Sequence, residues 1–125
     1  MTAASLTKLE QDCLAAAEDF SANTLAPNVK AWEAAHSAPR EMFQAAGDAS
    51  LLGLLVSPDQ GGKGVSYVAL LTILEALAKV DMAATFALIV HNNHARAIAV
   101  SGSDHLTDTY LADMIAGRTV GAFLL

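Results

Sequence analysis

Apolar residues recur at spacings of three and four along most of the chain, and the gaps between those runs carry helix start and stop signals. Leu6, Leu9, Cys13, Ala16 and Phe20 form one stripe behind the capping box Thr7-x-x-Glu10, which predicts a first helix from about Thr7 to Ser21. After Asn23 a second helical segment is expected, about Pro27 to Ala35, with proline in the first turn where its missing N–H does no harm. Pro39 opens a third, Pro39 to about Ala49, with Met42, Phe43 and Ala46 on one face.

Gly53 to Val56 is a short apolar segment that runs into a turn-rich stretch, Ser57-Pro-Asp-Gln-Gly-Gly-Lys-Gly64. Behind it Val65, Val68, Ala69, Ile73, Ala76, Leu77 and Val80 make a broad helical stripe, capped near Ser66, which Leu70, Leu71 and Leu74 extend nearly around the cylinder. Glu75 and Lys79 mark its one wet side. Asp81 suits the N-cap of a further helix, Met82 to about Ser101, apolar on most faces through Val90 and then interrupted by His91-Asn-Asn-His94. Gly102 suits a C′ position and Ser103 the next N-cap, so Asp104 to Ala116 is a last helix with Leu106, Tyr110, Leu111, Met114 and Ile115 inward. The tail Thr119 to Leu125 has the pattern of a strand.

The expected fold is therefore all-α: an up-and-down bundle of about five or six helices with a short C-terminal extended segment, residues 1–125 forming one domain. Composition adds one feature. With 54% apolar residues and 16% charged, the chain carries more apolar surface than one small core needs, so self-association is expected. Its most apolar stretch, Met82 to Val90, is far short of the ~20 residues that span a bilayer. A net charge of -6, with seven Lys/Arg scattered singly, gives no footprint for nucleic acid. The N-terminus lacks the basic and apolar regions of a signal peptide and Cys13 has no intramolecular disulfide partner, which together point to the cytoplasm.

The three glycines raise the question of a phosphate loop, and spacing answers it. A Walker loop needs Gly, four residues, then Gly-Lys-Ser/Thr; here Gly64 follows Gly62-Lys63, and Ser57 stands at the earlier glycine position. A dinucleotide fingerprint fails as well, because Val65-Ser66-Tyr67 follows Gly64 and no βαβ unit surrounds it. Gly61, Gly62 and Gly64 are expected to shape a turn and to contact no phosphate. His91 and His94 with Asp104-His105 fall short of a zinc ligand set and read as polar side chains lining a helix end. Cys13, with no basic residue placed to lower its pKa, reads as a small buried hydrophobe, and Glu18-Asp19 as solvating groups. No nucleophile elbow is present, and no residue qualifies as catalytic.

Pro39-Arg-Glu-Met-Phe-Gln-Ala-Ala-Gly47, the stretch from Leu51 to Ser66 with its Pro-x-x-Gly-Gly-x-Gly, Glu75-Ala-Leu-Ala78, Gly102-Ser-Asp104, Tyr110-Leu111 and Ala116-Gly-Arg-Thr-Val-Gly-Ala-Phe123 occur in one order across nearly the whole chain. That ordered set resembles the N-terminal α-helical domain of the acyl-CoA dehydrogenase family. Two departures are Ser50, where glycine is frequent, and Gln60, where a large apolar residue is frequent. The family continues beyond a strand like Gly121 to Leu125 with a Thr-Glu-Pro segment, a β domain and a second helical domain that carries the catalytic glutamate; the sequence stops before all three.

The resemblance implies the first of three domains of an FAD enzyme that oxidises the Cα–Cβ bond of an acyl-CoA thioester and assembles as dimers or tetramers. It implies an acyl-chain wall from Thr85, Phe86, Ile89, Val90 and Asn93, and an edge of the flavin site from Phe123 and Leu125. Each of those side chains also fits a purely structural role. On this reading the chain meets acyl-CoA only through the complete enzyme, needs a chain that supplies the β and C-terminal domains, self-associates, and does not retain FAD alone. The alternative is a non-catalytic interaction or oligomerisation module derived from the same domain.

Overall fold

A computed structural model describes residues 5–124 and is all-α, as the periodicity predicts. Helix α1, Lys8–Phe20, starts at the predicted capping box: the Glu10 N–H donates to Thr7 Oγ1 and the Thr7 N–H to the Glu10 carboxylate. Where a break was expected after Asn23, the helix instead continues through a π turn, Ser21–Leu25, into α2, Ala26–Ala35. The cause is Pro27, which cannot donate to the ladder and would crowd the carbonyl four residues back. Widening the turn before it, with the Ala26 N–H reaching the Ser21 carbonyl, accommodates the ring without ending the helix. His36 ends α2 in the left-handed conformation at φ 50°.

Helix α3, Arg40–Asp48, follows Pro39, and α4, Tyr67–Ala78, and α5, Met82–Ser101, start at their predicted caps, Ser66 and Asp81. Ser103 caps α6, Asp104–Leu106, which passes through a second π turn, Thr107–Leu111, into α7, Ala112–Ile115. Gly102 is not left-handed (φ -70°); it is required because a Cβ there would lie 2.4 Å from the Ile98 carbonyl oxygen. The tail differs from expectation too. Among the described residues there is no strand: 119–124 find no neighbouring segment to form a ladder with, and Leu125 lies outside the described residues.

The main core brings α1, α3, α4 and the first half of α5 onto Leu51, Leu52 and Leu54, with Leu25, Met42, Ile73, Leu77 and Leu88 fully buried. A smaller cluster of Val56, Ala95, Leu111 and Met114 joins the second half of α5 to α7. The inward face of α1 is Glu10, Cys13, Ala17 and Phe20, so Leu9 and Ala16 are not on it and Leu9 is 45% exposed. Glu10 takes that position because its carboxylate also accepts the Ser66 N–H of α4's N-cap at 2.8 Å. Leu106 and Tyr110, expected inward, are likewise exposed.

Candidate functional site

The amides of the glycine loop decide whether it can hold an anion. The Gly61 N–H donates to the Pro58 carbonyl, Gly62 to Ser57, Lys63 to Gly53, Gly64 to Val56 and Val65 to Leu54. Every N–H from Gly61 to Val65 is thus paired with a carbonyl between Gly53 and Pro58, and none is free for a phosphate. Gly61 and Gly64 take φ values of 92° and 60°, and a Cβ on Gly62 would lie 2.0 Å from the Val56 carbonyl oxygen. The loop is a structural clamp, as the spacing argument expects. Gln60 completes it by accepting from the Ser57 hydroxyl and donating to the Ala99 carbonyl of α5.

Helix α5 carries five of the expected site residues, and the structure separates them. Phe86 is 69% exposed, Asn93 is exposed, and Ile89 and Val90 are half-buried on the same side. Thr85 is turned into the core, with its hydroxyl donating to the Asp81 carbonyl at 2.7 Å. Phe86, Val90 and His94 are four apart and form one row up the helix. That row ends under the tail: the His94 and Phe123 rings lie 4.9 Å apart at 41°. Phe123, half-exposed, is therefore continuous with the exposed face of α5. On α4 Tyr67 and Leu71 are also exposed, and the Arg96 guanidinium stands 5.9 Å over the Tyr67 ring.

The His91-Asn-Asn-His94 turn is not at a helix end, as the sequence suggested, but in the middle of α5, and two of its members are among the most buried polar groups. Asn92 accepts the Leu54 N–H and donates to the Leu51 and Leu88 carbonyls. His91 Nε2 lies 2.8 Å from the Met114 carbonyl oxygen, and its Nδ1 lies 3.1 Å from the Gly121 nitrogen. A carbonyl can only accept and an amide N–H only donate, so the ring is neutral with its proton on Nε2. Burial pushes its pKa below the ordinary histidine value, with the bond to Met114 opposing and His94 adding to the shift. His94 Nδ1 is buried and has no hydrogen-bond partner among the described residues. Sequence reasoning missed these roles because every partner lies at least 23 residues away, apart from Leu88.

The buried carboxylates are already engaged. The buried carboxylates among the described residues are Glu10 and Asp81. Glu10 is held down to about 2, first by the Ser66 backbone N–H and then by that of Thr7, while Asp81 caps α5 through the Ala84 N–H. Burial raises the pKa of the Cys13 thiol; Lys63, which lines the same hollow and so corrects the reading that no basic residue is placed near it, opposes that shift without reversing it. Among the described residues no cluster of three or more His, Cys, Asp or Glu could hold a metal ion, and no helix is long and apolar enough to cross a membrane.

Comparison with known proteins agrees with this architecture. The family model for the acyl-CoA dehydrogenase N-terminal domain matches residues 7–118. The mitochondrial isobutyryl-CoA dehydrogenase of Dictyostelium discoideum is 26% identical over 120 residues, 96% of this chain but 29% of the relative. Glutaryl-CoA dehydrogenase from Mycobacterium smegmatis superposes with a TM-score of 0.83 at 25% identity, over 94% of this chain and 30% of that one. A glutaryl-CoA dehydrogenase from the same organism, in complex with FADH2, shares the fold with a TM-score of 0.82 at 23% identity, over 92% and 30% of the two chains. The chain thus spans about three tenths of the relatives it matches. By fold, ordered motifs and family match, it belongs to the acyl-CoA dehydrogenase family and carries that family's N-terminal domain.

Proposed function

We propose that the chain, numbered 1–125 as one domain, works as the N-terminal domain of an FAD-dependent enzyme that dehydrogenates acyl-CoA thioesters between Cα and Cβ. The observation that carries this reading is the row Phe86, Val90, His94, which leads from an exposed apolar helix face to the ring of Phe123. An acyl chain needs an apolar wall, and here that wall abuts the residue proposed for the flavin edge. Phe86, Ile89, Val90 and Asn93 would face the acyl chain. Thr85 would act from behind, fixing the first turn of α5 through Asp81.

The described residues fit the cofactor at one edge only. Phe123 offers an exposed aromatic face, with Leu125 next beyond the described chain, and the paired amides of the glycine loop offer nothing to its phosphates. FAD, when bound, supplies the hydride acceptor. The base that removes the α-proton would come from another segment, as the resemblance implies; of this chain's carboxylates the two buried ones, Glu10 and Asp81, are both taken up in helix caps. Other domains or a second copy would cover the exposed Leu71 and Met82.

The test is reconstitution. The 125-residue chain alone should be colourless, and adding a chain with the β and C-terminal domains of the family should give yellow flavin absorbance and acyl-CoA-dependent dye reduction. Replacing Phe86 by Asp should weaken that reduction most for long acyl chains. A stable complex that never takes up flavin would favour a non-catalytic interaction module instead. Stoichiometric FAD on the chain alone would overturn the assignment of a mere flavin edge.

A further inference from the structure

We infer that His91 is the positioning residue that seats the tail carrying Phe123 against α5, with His94 as the platform for its ring. No strand partner holds residues 119–124 among the described residues, so the tail needs another anchor. The anchor is the Gly121 N–H, which donates to His91 Nδ1 at 3.1 Å, while Nε2–H of the same ring is fastened to the Met114 carbonyl at 2.8 Å. One buried imidazole thereby ties together α5, the end of α7 and the tail. Its ring packs 5.7 Å from that of Phe43 on α3, which limits its rotation.

Gly121 fits this role sterically. A Cβ there would lie 2.8 Å from Met114 Cε and 2.9 Å from His94 Cβ, so only glycine brings the backbone close enough for the bond. Two residues on, Phe123 lands on the His94 ring. The spacing of His91 and His94, three apart on one helix, places the grip and the platform on adjacent faces of the same turn. Between them the His91-Asn-Asn-His94 turn also holds Leu51 and Leu54 through Asn92. A motif that looks like a metal-ligand fragment in sequence is a clasp for two chain segments.

The role of the tail rests on the proposed function, but the clasp can be tested without flavin. In the 125-residue chain, amide hydrogen exchange at Gly121 should be slow beside that of Ala122 and Phe123, and the imidazole nitrogen shifts should show the Nε2–H tautomer at pH 7. His91→Asn places an amide oxygen near Nδ1 and can keep the Gly121 bond; His91→Gln places an amide nitrogen near Nε2 and can keep only the Met114 bond. Gly121 exchange, normalised to the core amide of Ala95, should stay slow in the first and rise by roughly tenfold or more in the second, the scale of one lost hydrogen bond. A purely structural histidine would not separate the two variants. Unchanged Gly121 exchange in His91→Gln, equal loss in both variants, or an Nδ1–H tautomer would overturn the inference. The flavin reading fails separately, if Phe123→Ala leaves flavin uptake in the reconstituted complex unchanged while the clasp is intact.

Discussion

Replacing Asn92 by Ala should be among the most damaging single substitutions outside the apolar core. The side chain is 2% exposed and makes three hydrogen bonds, to the Leu54 N–H at 3.0 Å and to the Leu51 and Leu88 carbonyls at 2.8 and 3.0 Å. The Leu88 carbonyl keeps its ladder bond within α5, but the Leu54 N–H and Leu51 carbonyl, both on fully buried residues, would be left without partners. At about 1–3 kcal/mol for each orphaned group, the loss is about 2–6 kcal/mol, against a total stability on the order of 5–15 kcal/mol. Urea unfolding followed by circular dichroism and by Trp32 fluorescence reads it directly, and a loss near 4 kcal/mol should move the midpoint by about 2 M. Asn92→Asp gives a signed control. Its carboxylate would be buried against two carbonyls, so its folded pKa rises above the unfolded value of about 3.9. The folded state then binds the extra proton, and the deficit of this variant relative to the native chain should shrink as pH falls. An Asn92→Ala loss below about 1 kcal/mol with an unchanged slope would show that the amide does not hold the Leu51 to Leu54 segment, and the reasoning would fail.

Acid should destabilise the native chain in two steps. His91, with its folded pKa below the ordinary ~6.5, contributes fully above that value and progressively less as pH drops toward its folded pKa; Glu10 adds stability that is lost between about 4.5 and about 2. Urea midpoints at a series of pH values should show His91→Asn flattening the upper step and Glu10→Gln the lower one. Gly117→Ala should cost more than about 3 kcal/mol in thermal melts, because Gly117 has φ 75° and a Cβ would lie 2.1 Å from the Phe43 carbonyl oxygen, forcing α3 and α7 apart. Ser50→Gly should stabilise by about 1 kcal/mol, since Ser50 holds φ 62° where glycine is unstrained; an unchanged melting temperature would show that the serine is not strained there.

The helix starts were legible in the sequence because capping is local chemistry. Thr7, Ser66, Asp81 and Ser103 each accept the N–H three residues on, and that bond needs nothing from the rest of the chain. What periodicity misjudged depended on distant partners. It put Leu9 on the inner stripe of α1, whereas Glu10 lies inside because the N-terminus of α4, 56 residues away, supplies a donor for its carboxylate. It ended the first helix before Pro27, because a proline signals a break unless the preceding turn can widen, and a π turn leaves no signature in the apolar pattern. It made the tail a strand, because Val120, Phe123 and Leu124 suit one, but a strand also needs a neighbour to pair with.

The site was harder to read than the fold, for a reason that lies in α5 itself. An apolar side chain in a core and one waiting for a ligand or another subunit look the same in sequence, since both are selected by the exclusion of water. Thr85 and Phe86 show the difference: adjacent residues of similar promise from the resemblance, they point about 100° apart, and packing takes one into the core while 69% of the other stays exposed. The polar turn that follows was legible as unusual but not as useful, because the meaning of a buried amide or imidazole lies in what it holds. His91 holds a tail 30 residues downstream, and Asn92 a segment 38 to 41 residues upstream. The exposed face of α5 and the seat of Phe123 therefore depend on His91 and Asn92, two buried residues of one helical turn that hold other segments of the chain. Loosening His91 should disturb the junction between the two while leaving each surface chemically intact.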